Sequence, residues 1–151
     1  MYATASTSSM FSSRNMSSVY RQIDVETGVS GASAHQLITL LFNGALEAIA
    51  QARGALAQGS IEMKCQSVSK TVRIVDEGLK AGLNLRDGGD LALQLSDLYD
   101  YICRRLTLAN VRNDDAILAE CHRLLTPIRD AWVAIAPANA QVVRSSMEVH
   151  A

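Results

Sequence analysis

No stretch of this chain approaches the roughly 20 consecutive apolar residues that a helix needs to cross a bilayer, and its N-terminus lacks a basic region followed by an apolar stretch and a cleavage signal. Those absences speak against insertion in a membrane and against secretion. Charge of one sign is equally scarce: the formal net charge is −1 over 151 residues. A nucleic-acid binder that depends on a broad basic field is therefore not expected. Cysteine appears three times, as Cys65, Cys103 and Cys121, an odd set with no pair at metal-ligand spacing. Each lies on or beside an apolar stripe, as expected of buried free thiols in a reducing cytosol.

Convergent polar chemistry is missing too. His35, His122 and His150 have no carboxylate or thiol partner at useful spacing. Asp97 and Asp100 stand at i and i+3 beside Arg104 and Arg105 and read as charge pairs on a helix face. No Glu-x-x-His pair supports a di-metal bundle. Gly88-Gly89 follows no strand and leads into no G-x-x-x-x-G-K, so it is no phosphate cradle. His122, within Cys121-His122-Arg123-Leu124-Leu125, is the one mid-helix candidate for a phosphorelay bundle, but the Lys-Gly pair that usually follows such a histidine is absent. No catalytic residue, cofactor or metal is expected, and the chain does not read as an enzyme.

Hydrophobic residues make up 48% of the chain, enough for one domain with a substantial core. The Ser-rich start lacks periodicity, so residues 1–32 are expected to be mobile, with an element near 20–25 (Val19, Tyr20, Ile23, Val25) able to dock on the domain. Ser33 and Gln36 stand in the relation of a capping box before a periodic run, giving a first helix from Ser33 to about Gln58. Its core face includes Ile38, Phe42, Ala45, Ile49 and Ala52, while Leu40 falls on the polar side. Gly59 and Ser60 suit a helix stop and the next N-cap, and so short a link makes the first two helices antiparallel. A second helix runs from Met63 to Leu85 and a third from Leu91 to Ala109, with Asp90 as its N-cap. The fourth opens at Asn113 and Asp114 and buries one stripe from Ile117 through Trp132 to Ile135. Pro127 inside it favours a kink or a break, and residues 137–151 read as a flexible tail. The architecture expected over 33–136 is all-α, an up-down-up-down antiparallel four-helix bundle.

Two of these helices carry more apolar surface than one core needs. Cys65, Val68, Val72, Val75, Leu79 and Leu83 form the inward stripe of the second helix at about 100° per residue, yet Ser67, Ile74, Gly78, Ala81 and Leu85 form another. On the third, Leu91, Leu95, Leu98, Ile102 and Leu106 point inward while Leu93, Tyr101 and Leu108 fall elsewhere. A helix apolar on two sides in so short a chain is built to be covered by a partner. An amphipathic helix would suit such a groove, with Gly78 and Ala81 admitting a close backbone. The alternative is self-association of the bundle through the same faces, as a possible homodimer.

The segments Ser33-Ala-His-Gln-Leu-Ile-Thr-Leu-Leu-Phe-Asn-Gly-Ala-Leu46 and Ser69-Lys-Thr-Val-Arg-Ile-Val-Asp-Glu-Gly-Leu-Lys-Ala-Gly-Leu-Asn84 resemble the first two helices of the bacterial flagellar export chaperone family FliS. Gly88-Gly-Asp-Leu91, Leu98-Tyr-Asp-Tyr-Ile102, Leu108-Ala-Asn-Val-Arg-Asn-Asp114 and Ala131-Trp132 follow in that family's order, so the similarity extends from about Tyr20 to Trp132. Phe42-Asn43-Gly44 stands where the family has Phe-Asp-Gly or Tyr-Asp-Gly. The resemblance implies a cytoplasmic, non-enzymatic chaperone that binds the disordered C-terminal region of flagellin, prevents its early polymerisation and assists delivery to a flagellar type III export-gate component. The expected flagellin contacts are Ile74, Gly78, Ala81, Leu85, Leu93, Tyr101 and Leu108, with Leu40 a weaker one. Tyr20 and Ile23 take the role of the family's N-terminal cap.

Overall fold

A computed structural model describes Tyr20 and residues 31–135; Ile23, His150 and the expected tail lie outside them. Helix α1 spans Gly31–Ala57, α2 spans Ile61–Arg73 and continues as a π-helix over Ile74–Lys80, α3 spans Gly89–Arg112 and α4 spans Asp115–Ala134. Among the described residues there is no strand. Each helix packs on its chain neighbours and α1 also packs on α4, which closes an antiparallel four-helix bundle.

Local chemistry sets the turns. At the end of α1, Gly59 adopts φ +76°, its N–H reaches the Leu56 carbonyl (3.1 Å) and the Ser60 N–H reaches that of Ala55 (2.8 Å). This is the paired bonding of a Schellman stop, and a left-handed residue there favours glycine. Ser60 holds the N-cap position of α2 without a capping bond from its side chain. Between α3 and α4, Asn113 takes the left-handed conformation at φ 54° and Asp114 caps α4, its Oδ1 accepting from Ala116 N–H at 3.0 Å.

Several boundaries differ from expectation. Helix α1 begins at Gly31, so Ser33 lies in its first turn instead of capping it. Helix α3 begins at Gly89, placing Asp90 in the first turn, where its charge favours the positive helix end without capping. Helix α4 runs unbroken through Pro127, because proline removes one internal hydrogen bond while the exposed ring and the stripe on either side stay in helical register.

The core gathers Ile38, Phe42 and Ile49 of α1, Val68, Val75 and Leu79 of the second rod, Leu95, Tyr99, Ile102 and Leu106 of α3, and Leu118, Leu125 and Trp132 of α4. Lys64 is also buried, 2% exposed. Its Nζ donates to the backbone carbonyl (2.8 Å) and Oδ1 (2.7 Å) of Asn110. Those acceptors lie in the last turn of α3, where a cation meets both free carbonyl capacity and the negative end of the helix dipole.

Candidate client-binding surface

The outer face of the second rod is covered in part by the chain itself. Ser67 and Thr71 are buried, Thr71 Oγ1 donating to the Ser67 carbonyl at 2.8 Å. A Cβ placed on Gly78 would lie 3.1 Å from Cδ2 of Leu41, and one on Gly44 would lie 3.5 Å from Cδ1 of Ile74. Each glycine thus receives a branched side chain from the facing helix, and α1 and the second rod approach closely. The room Gly78 was expected to offer a partner backbone is occupied by Leu41. The 100° wheel grouped Gly78 with Ser67 and Ile74, and that part of the face is covered by the chain itself, which spacing alone does not reveal; from Ile74 the rod takes π geometry. The Ala81 N–H bonds the carbonyl five residues back, at Asp76, so residues beyond Ile74 fall out of α phase. The rod ends at Lys80, and Ala81 and Leu85 stand exposed in the connection that follows.

The other expected contacts divide between two seams. Leu40 on α1 is 68% exposed, and Ile74 is half-buried beside Gly44. On α3, Leu93 is 52% exposed, while Tyr101 and Leu108 are half-buried. Tyr101 belongs to the α3–α4 seam: its hydroxyl donates to Glu120 Oε2 at 2.7 Å, and Arg105 Nε donates to Glu120 Oε1 at 2.8 Å. These two hydrogen bonds, the tyrosine's first, hold the Glu120 carboxyl below its usual range, and the charges of Arg105 and Arg123 add to the effect. The expected residues therefore line no single groove. Ile74 and Gly78 belong to the α1–α2 side and Tyr101 to the α3–α4 side, while Leu40 stands exposed on α1.

Tyr20 is 3% exposed. Its ring meets the edge of Trp132 with centroids 5.1 Å apart, and its hydroxyl lies 2.8 Å from that of Tyr99. Burial is the main cause that pushes both phenols up, and they stay neutral at physiological pH. His35 stacks on Trp132 at 4.6 Å. Its Nε2 donates to the Trp132 carbonyl (2.8 Å) while the indole N–H donates to the His35 carbonyl (3.0 Å). The sequence, which offers His35 no carboxylate or thiol partner at useful spacing, gives no sign of this reciprocal clasp. The chemistry of the partner, 97 positions away, carries no local signal.

Of the three thiols expected to be buried, Cys121 is buried and Cys65 and Cys103 are half-buried; Cys103 and Cys121 match inert packing groups. Burial pushes Cys103 up to about 11 and Cys121 up to about 12. Their sulfurs lie 4.0 Å from the Val72 carbonyl and 3.9 Å from the Ile102 carbonyl. His122 is half-buried, with Nδ1 3.4 Å from Thr126 Oγ1. Among the described residues no group of His, Cys, Asp and Glu is placed to hold a metal ion, and no helix is long and apolar enough to cross a membrane.

Comparison with known proteins gives this surface a context. The profile of the family described as flagellar protein FliS matches residues 16–139. The flagellar secretion chaperone FliS of Salmonella typhimurium is 48% identical over 118 residues, covering 78% of this chain and 87% of the relative. The flagellar secretion chaperone FliSB of Pseudomonas aeruginosa is 41% identical over 113 residues, covering 75% and 89%. The Bacillus subtilis FliS is 33% identical over 119 residues, covering 79% and 84%. With one profile spanning most of its length and relatives this similar across the bundle, the chain belongs to the FliS family.

Proposed function

We propose that this protein is a cytosolic flagellar export chaperone that binds the disordered C-terminal region of flagellin, holds it from premature polymerisation and delivers it to an export-gate component. The observation that carries the reading is the survival of large exposed aliphatic side chains after the interior is filled: Leu40 at 68%, Leu93 at 52% and Leu85 at 50% exposure. Its support also includes relatives named flagellar secretion chaperones. Because the exposed leucines lie on α1, on α3 and in the connection between the second rod and α3, a disordered client suits them better than a folded one. A chain that orders on contact can bend around the bundle and present an anchor to each, and apolar burial must then exceed its ordering entropy. The Tyr20 segment acts in this reading as an intramolecular cover.

The test is sedimentation of the full chain with and without a flagellin C-terminal peptide. A heterocomplex is the expected result, lost in Leu40→Asp and Leu93→Asp variants that keep wild-type helicity. A bundle that self-associates and ignores the peptide refutes the reading.

A further inference from the structure

The outward side of α3 carries a stripe of residues that the bundle's interior leaves out. Leu93, Asp97, Asp100, Arg104, Thr107 and Val111 stand at i, i+4, i+7, i+11, i+14 and i+18, which at 100° per residue keeps all six within about 80° of arc. Leu95, Tyr99, Ile102 and Leu106 occupy the opposite, buried side of the helix. At the ends of the stripe Leu93 is 52% and Val111 77% exposed. Between them Asp97, Arg104 and Thr107 are exposed, and Asp100 is half-buried beside Lys80, its partner at 2.6 Å. Among the described residues neither Asp97 nor Arg104 has an ion-pair partner.

The steps of four and three residues are those of a helix-pairing seam, and the chemistry of the stripe is complementary to itself reversed. Turned end for end about Ile102, the stripe of one copy meets that of a second with Leu93 opposite Val111, Asp97 opposite Thr107 and Asp100 opposite Arg104, each pair occurring twice. A two-fold contact requires this self-complementarity. A parallel arrangement in register has none, because it lays Asp97, Asp100 and Arg104 each on its own copy, like charge on like charge. We infer that two copies of this chain associate antiparallel through the outward stripe of α3, with leucine–valine contacts at both ends and two Asp100–Arg104 pairs in the middle. A contact along one ridge about 27 Å long, with polar side chains at four of its six positions, is weak and reversible. Leu93 also belongs to the client surface, so on the chaperone reading above the second copy and the client compete for α3.

Sedimentation of the full chain over a concentration series tests the inference. The wild type should show a reversible monomer–dimer equilibrium. Asp100→Arg and Arg104→Asp should each weaken self-association at least about tenfold, since each sets like charges opposite one another twice. Mixing these two variants should restore a dimer containing one chain of each, because every facing pair is then of opposite sign; that rescue also shows both variants to be folded. Lys70→Gln, an exposed change on α2, should leave the dimer as it is. A flagellin C-terminal peptide should convert the wild-type dimer into chaperone–peptide complexes. A chain that is monomeric at every concentration, a dimer indifferent to both charge variants, or variants of wild-type helicity that fail to rescue one another overturns the inference and leaves the chaperone reading to its own peptide test. A dimer that obeys the charge variants but binds no peptide upholds the inference and refutes that reading.

Discussion

The α1–α2 seam and the α3–α4 seam join adjacent antiparallel helices, yet they are built of opposite materials. The first uses small residues and close approach: Gly44 against Ile74, Gly78 against Leu41, with Ser67 and Thr71 buried and hydrogen-bonded within their own helix. The second uses a half-exposed polar network of Tyr101, Glu120 and Arg105. Close-packed interiors respond to a change of a few atoms, whereas exposed ion pairs add little stability and remain free to re-pair. The bundle therefore places glycine-mediated close packing at one seam and leaves a half-exposed polar network, free to re-pair, at the other.

The largest break in that contrast should come at Gly78. Gly78→Leu drives a branched side chain into Leu41, and overpacking of this kind should cost about 2–3 kcal/mol, read as a lower midpoint in urea unfolding. The same measurement on Arg123→Leu should move stability by no more than about 0.5 kcal/mol, as expected for an exposed surface change.

A smaller pair of changes separates a fully buried hydroxyl from a half-exposed one. Tyr20→Phe leaves the buried Tyr99 hydroxyl without its partner and should cost about 1–2 kcal/mol, while Tyr20→Phe with Tyr99→Phe should recover much of the loss. Tyr101→Phe, on the seam that water reaches, should leave the thermal midpoint close to wild type.

Glu120→Gln should be milder still at neutral pH, below about 1 kcal/mol, because its carboxylate is partly solvated. Its sign has a pH signature. The folded carboxyl sits below its ordinary range, so its contribution is present above the unfolded pKa, near 4.3 as a rough reference, and is lost as pH falls through the folded value. Unfolding curves of wild type and Glu120→Gln should differ most at neutral pH and converge on acidification. The smallest effect belongs to Arg53→Ala, which removes the exposed Arg53–Asp115 pair (2.8 Å) and should change stability by about 0.5 kcal/mol or less.

Much of the fold was legible because helices announce themselves through local signals. The glycine stop at Gly59, the Asp114 cap and the stripe from Ile117 to Trp132 depend on residues a few positions apart. The surface was harder to read. That Gly78 receives Leu41 depends on α1 lying beside the second rod, which no residue near Gly78 announces. Lys64 looks like a solvent residue until Asn110, in another helix, supplies its acceptors. The two stripes of surplus apolar residues were visible, but their division between separate seams depends on which helices lie side by side.

The most direct measurement takes affinity for a flagellin C-terminal peptide and thermal midpoint together on Leu93→Asp, since that leucine is half-exposed and outside the packed interior. Peptide affinity should fall at least about tenfold, in keeping with the loss of an apolar anchor, while the midpoint stays within about 2–4 °C of wild type. A variant that binds the peptide as tightly as wild type but melts well below it would show Leu93 to be part of the fold, and would contradict the assignment of leftover apolar surface to client recognition.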